Sequence, residues 1–97
     1  MHRLVFTGRA QADLLEAWLF IAEDNQSVAD KVLDTLQQEA KLLLVQPLMG
    51  RARPELGSAV CSWPSATPYV VFYEVDDSEL TVLRVLHHAR DVRSASF

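Results

Sequence analysis

The stretch Leu83-Arg84-Val85-Leu86-His87-His88-Ala89-Arg90-Asp91 gathers two arginines, two histidines and a carboxylate into nine residues. Cleaving an RNA strand needs a group to take the proton from a 2′-hydroxyl, cations for the developing phosphorane charge and an acid for the leaving oxygen. Arg84, Tyr73, His88 and Arg90 offer those functions by type. His87 and His88 are metal ligands by type, but neighbours on one strand point to opposite faces, so no metal site is expected unless the strand ends before His87. The single cysteine, Cys61, lies on an apolar strand and is read as a small core residue rather than a nucleophile. Arg90 and Arg93 are the preferred contacts to a macromolecular target, because a short terminal segment offers few buried partners. Arg51 and Arg53 flank Ala52, where they either bond helix-end carbonyls or touch the same target.

The elements that must position these groups follow from hydrophobic spacing. Residues 3–6 read as a first strand, and Thr7 or Gly8 as the cap of a helix. From Ala10 onward, Leu14, Leu15, Trp18, Ile21 and Ala22 form one apolar stripe, with Asp13, Glu16 and Glu23 assigned opposite it. Phe20 falls on the side of Glu16 and Glu23, which makes it a candidate anchor for a partner or a lone exposed aromatic. Ser27, with Asp30 three residues on, resembles a capping box and marks a second helix. The buried face of that helix is Val28, Ala29, Val32, Leu33, Leu36, Ala40, Leu43 and Leu44, and Pro47 and Gly50 mark its end. The connection is short, so the two helices must form an antiparallel hairpin. Strands are expected at 59–63, 69–75 and 80–87, with Asp76-Asp77-Ser78 as a hairpin turn. The order is β-α-α-β-β-β, an α+β fold with the helical hairpin on one face of a small, mainly antiparallel sheet and the other face partly open.

A turn of two or four residues sets Val75 opposite Leu80, Tyr73 opposite Val82, Val71 opposite Arg84 and Tyr69 opposite Leu86. Val70, Phe72, Leu83 and Val85 then share an apolar face, assigned to the helices. Tyr69, Val71, Tyr73, Val82, Arg84 and Leu86 take the open face. An unpaired guanidinium under a helix would cost several kcal/mol, which also favours the open face for Arg84. There it is either a functional cation beside Tyr69 and Tyr73 or the partner of a carboxylate such as Asp91.

Length and composition restrict the alternatives. Ninety-seven residues provide one core, so residues 1–97 are read as a single domain. A lone cysteine and no signal-peptide pattern point to the cytoplasm, and the longest apolar run is far too short to span a membrane. A net charge of −4 argues against coating nucleic acid with the whole surface, and only two lysines are present.

Four segments together resemble the ParE branch of the ParE/RelE superfamily, the toxins of bacterial type II toxin-antitoxin pairs. They are Ala10-x-x-Asp13-Leu14, Pro47-Leu48-Met49-Gly50-Arg51-x-Arg53-Pro54-Glu55-Leu56, Tyr69-Val70-Val71-Phe72-Tyr73, and Leu83-Arg84-Val85-Leu86-His87-x-Ala89-Arg90-Asp91. The resemblance implies the same β-α-α-β-β-β fold, no cofactor, and inhibition of DNA gyrase rather than catalysis. It also implies a ParD-like ribbon-helix-helix antitoxin that wraps the toxin and alone brings it to DNA. Phe20, Trp18, Tyr69 and Tyr73 are the aromatic candidates for antitoxin contact, and Arg90, Arg93, Arg84, Arg51 and Arg53 for target contact. Where similar proteins carry Arg-Ser-aromatic, this chain has Cys61-Ser62-Trp63. The alternatives are a RelE-like ribosome-dependent mRNA endonuclease, for which the basic cluster is thin, and a non-toxic module that retains only antitoxin binding.

Overall fold

One residue turns the first strand into the first helix. In a computed structural model, described for residues 3–89, 92, 95 and 97, Arg3–Phe6 is strand β1 and Gly8–Ala22 is helix α1. Thr7 between them is the N-cap: its hydroxyl accepts from the Ala10 N–H at 3.0 Å and donates to the Leu83 carbonyl at 2.9 Å. The Thr7 N–H also donates to the Val82 carbonyl at 3.1 Å, so the cap is fastened to the sheet. No described helix is long and apolar enough to cross a membrane.

Helix α2, Gln26–Val45, folds back on α1 after residues 23–25. Its cap is Asn25, whose side chain accepts from the Val28 N–H at 3.1 Å. The helix therefore starts ahead of the expected Ser27 box, leaving Ser27 inside its first turn. Asp30, cast as the other half of that box, instead accepts from the Trp18 indole at 2.8 Å and ties the two helices together. Ala29, Leu36, Ala40 and Leu43 are buried, whereas Val28 is largely exposed.

The sheet adds β2 (Arg51–Ala52), β3 (Cys61–Pro64), β4 (Tyr69–Val75) and β5 (Glu79–His87), in the spatial order β1-β5-β4-β3-β2. β1 runs parallel to β5 and the other pairs are antiparallel. β2 went unforeseen because two residues carry no alternation to read.

The hairpin register holds as expected at Val75↔Leu80 and Tyr73↔Val82, then slips at a bulge. Leu83 is the extra residue on β5, so Phe72 pairs with Arg84, Val71 with Val85 and Tyr69 with His87. The carbonyls of Val82 and Leu83 both turn toward β1, where Thr7 satisfies both.

Ahead of the bulge the two sheet faces are exchanged relative to expectation, whereas beyond it Val85 and Leu86 lie on the faces expected of them. Tyr69, Val71, Tyr73, Leu80, Val82 and Val85 pack under the helices with Ala10, Ala17, Leu36, Ala40 and Leu43. Val70, Phe72 and Leu83 lie on the other face with Val60 and Leu86. Both parities of the Tyr69–Val75 strand are apolar, so alternation could not choose between them. The deciding feature is volume, because alanines on the helix faces leave room for tyrosine rings. The second face is not open, since Leu56, Val92 and Ala95 cover it and the Phe97 ring meets Phe72 edge-on at 5.1 Å.

Tyr73, with no exposed surface, pins the segment after α2: its hydroxyl donates to the Pro47 carbonyl at 2.8 Å and accepts from the Gly50 N–H at 3.1 Å. A Cβ at position 50 would collide with that hydroxyl and with the Ser62 carbonyl, so only glycine fits there. Glu39 of α2 holds the opposite end of the sheet, accepting from the Trp63 indole at 2.7 Å and the Ala66 N–H at 2.9 Å.

Asn25→Ala should cost about 1 kcal/mol in denaturant unfolding, whereas Ser27→Ala should cost only a few tenths. Burial pushes the phenols of both Tyr69 and Tyr73 above their ordinary value of about 10. The unfolded chain then ionises first, so stability is complete below about pH 10 and falls as pH rises beyond it. These are the chain's two tyrosines, so phenolate absorbance reports them directly. It should lag behind a free-tyrosine titration and rise together with unfolding.

Candidate functional site: a carboxylate clamp and the groove beside it

β1 stops at Phe6 opposite Val82, while β5 continues to His87. Beyond that point α1 replaces the missing strand, and Asp13 does so at the level of the backbone. Its Oδ2 accepts from Arg84 Nε at 2.8 Å and from the Val85 N–H at 3.0 Å, and its Oδ1 accepts from Arg84 Nη2 at 3.0 Å. One carboxylate thus engages the guanidinium with both oxygens and occupies an edge N–H of the sheet. Asp13 and Arg84 are both buried, 8% and 9% exposed, so the contact is largely shielded from water. The bond to Asp13 holds the Arg84 guanidinium even more firmly protonated than usual.

This corrects the expected placement of Arg84. The desolvation cost that favoured an open face is met instead by a buried partner, Asp13, while the other carboxylate considered, Asp91, lies outside the described residues. The signal was available in the sequence. At about 100° per residue, Asp13 sits about 40° from Ala17, on the alanine side of α1 rather than opposite it. A carboxylate on a helix's small-residue face, with one arginine in a facing strand, is a pairing pattern.

The groove alongside has a volume of about 370 Å³ and runs between α1 and the end of β5. Ala17, Tyr69 and Val85 form its buried lining, and Glu16, Phe20 and His87 stand exposed around it. Glu16's charge adds to the burial that raises the Tyr69 phenol. Of the four aromatic antitoxin candidates, Phe20 and Tyr69 meet here. Trp18 is turned toward α2 by its bond to Asp30, and Tyr73 is sealed under the helices.

The remaining candidates disperse. The Tyr73 hydroxyl and the Arg84 guanidinium are held by different parts of the fold, and Arg90 lies outside the described residues, as does Arg93. The nuclease set is therefore not brought together among the described residues. His88 is exposed, and its ring stacks on His87 at 4.6 Å, while the Ala89 N–H donates to His87 Nδ1 at 3.1 Å. The two histidines do not point apart as neighbours within a strand would, because β5 ends at His87 and the chain turns. Among the described residues no three metal-ligating side chains cluster. Arg51 is exposed on β2. Arg53 is partly covered, bonding Glu55 at 2.7 Å and Ser62 Oγ at 3.3 Å with its guanidinium carbon 5.9 Å from the centre of the Phe72 ring. That bond keeps the Glu55 carboxyl below the usual range. Cys61 packs against the helix-side core.

Comparison with known proteins places this arrangement in context. A solved structure described as a chromosomal ParDE TA system from P. aeruginosa superposes with a TM-score of 0.75. It is 22% identical, covering 90% of this chain and 96% of that one, a likeness that shows a shared fold. No curated protein is similar enough in sequence to count as a relative. The model of the family described as ParE toxin of type II toxin-antitoxin system, parDE, matches residues 4–92, nearly the whole chain. The fold, the motif segments and that match agree, and the chain belongs to the ParE toxin family.

Proposed function

We propose that this ParE-family chain arrests growth by inhibiting DNA gyrase, and that a ParD-like ribbon-helix-helix antitoxin neutralises it and alone carries it to DNA. Gyrase is cytoplasmic, so the chain acts there. The observation that carries the choice of a binding mechanism over RNA cleavage is the commitment of Tyr73 and Arg84 to the fold. A tyrosine hydroxyl fixed between Pro47 and Gly50, and a guanidinium fixed on Asp13, are not free to follow a reacting phosphate. An inhibitor needs only an exposed, complementary surface. Exposed Arg51 is one contact to the target, Arg90 and Arg93 are assigned as others, and partly covered Arg53 steadies the loop that carries Glu55. The −4 net charge further disfavours a surface that grips RNA by itself.

Inducing the chain alone, and following growth, plasmid supercoiling and transcript integrity in one culture, tests this directly. The expected outcome is growth arrest with disturbed supercoiling and intact transcripts. Normal supercoiling with cut transcripts would overturn it. Arg90→Ala combined with Arg93→Ala should relieve the arrest by at least about tenfold in surviving cells while leaving the thermal midpoint within about 2 °C, if the two arginines serve the target rather than the fold.

A further inference from the structure

Helix α2 ends in Leu42-Leu43-Leu44-Val45, a run that is apolar on every side. Such a run suits a helix covered all round, yet the fold covers only half of it. Leu43 is buried and Leu44 packs against the helix-side core, while Leu42 and Val45 are 47% and 76% exposed. The Met49 N–H donates to the Gln46 carbonyl at 3.1 Å, which carries the winding past the helix end. Leu48 sits in that turn and is 90% exposed, so the core gains almost nothing from it. Its place is nevertheless fixed, because the Tyr73 hydroxyl holds the Pro47 carbonyl on one side of it and the Gly50 N–H on the other. Three aliphatic side chains at i, i+3 and i+6 thus cap the end of α2 and stand open to solvent.

We infer that this cap is a docking knob, which inserts Leu42, Val45 and Leu48 into an apolar pocket edged by carboxylates on the toxin's target protein. Charge selects that occupant. Residues 40–53 carry Lys41, Arg51 and Arg53 and no acidic side chain, in a chain whose net charge is −4. Glu55 engages Arg53, and exposed Lys41 and Arg51 flank the cap in sequence. An apolar pocket with carboxylates at its rim complements this arrangement. A second copy does not, because two caps meeting about a two-fold axis would set the cations of one against those of the other. Nucleic acid offers phosphates to the cations but no pocket for three aliphatic side chains. The pinned turn adds to the fit, since a side chain already held in place loses little freedom on docking. The cap also leads into β2, the sheet edge opposite β1, so it is distinct from the groove between α1 and β5.

The knob rests on the gyrase reading for its partner's identity, and the experiment distinguishes the two failures. The full chain, as wild type and as Val45→Gln with Leu48→Gln, is induced to measure survival and purified to measure binding to DNA gyrase holoenzyme. Both changes replace an exposed side chain by a polar one of similar size, so the melting temperature should stay within about 2 °C. Gyrase affinity and loss of survival should each fall by about tenfold or more. Lys41→Glu with Arg51→Glu should slow association by about tenfold at low salt, and by less at high salt. Unchanged gyrase binding and undiminished arrest in the glutamine variant overturn the knob. So does a variant that arrests growth fully but no longer binds the antitoxin, or no longer self-associates where the wild type does. If the wild type binds no gyrase, the gyrase reading fails by itself. Arrest that is then lost in the variant supports the knob against another target protein, and arrest that persists overturns it.

Discussion

The Asp13 carboxylate is the contact on which the rest of the structure turns. It accepts three hydrogen bonds, two from Arg84 and one from the backbone of β5, at the point where β1 ends and the sheet would otherwise present a bare edge to a helix. A surface ion pair contributes about 0–1 kcal/mol, whereas removing one partner of a buried, hydrogen-bonded pair costs about 3–5 kcal/mol because a charge is left stranded. The clamp is of the second kind. It sets where α1 lies over β5, and through that it sets the walls of the groove beneath Phe20. The bulge at Leu83 and the Thr7 cap belong to the same joint: the extra residue turns two carbonyls toward Thr7, and the following residues bring Arg84 and Val85 to Asp13.

Elsewhere the chain repeats the device of spending a polar side chain to place a segment that has little regular structure of its own. Tyr73 fixes the Pro47 to Gly50 turn, Glu39 fixes β3 and the turn after it, and Arg53 braces the loop carrying Glu55. A domain of this size has one modest core, so such pins matter more than they would in a larger protein. The consequence for function is a division of labour. Tyr73 and Arg84, the chemically capable groups at the centre, are engaged by the fold, while Arg51, Phe20 and Glu16 stand exposed.

Much of the architecture was legible in the sequence because it depends on local spacing. The two helices, the Thr7 cap, the Tyr69–Val75 strand and the hairpin register as far as Tyr73 all follow from periodicity and turn chemistry. What failed were the features set by tertiary choice. No local rule signals a one-residue bulge at Leu83, and a strand apolar on both parities cannot declare which face meets the helices. Arg84 was placed by a sound desolvation argument that lacked its partner, because Asp13 had been assigned to the polar side of α1. Asn25 outcompeted Ser27 as a cap by lying one residue before the helix begins. For the site, Phe20 and Tyr69 were named separately as aromatic candidates, and it is the fold that brings both to one groove. Glu16 was missed as a wall of the groove, since that groove exists only once α1 is placed over the end of β5.

The most direct measurement is a double-mutant cycle on Asp13→Ala and Arg84→Met, read by denaturant unfolding. The clamp predicts that each single change is strongly destabilising and that the double variant is more stable than the sum of the two losses by about 2–3 kcal/mol. Losses that simply add, with a coupling within about 0.5 kcal/mol of zero, would contradict it and return Arg84 to the set of residues free to act on a target.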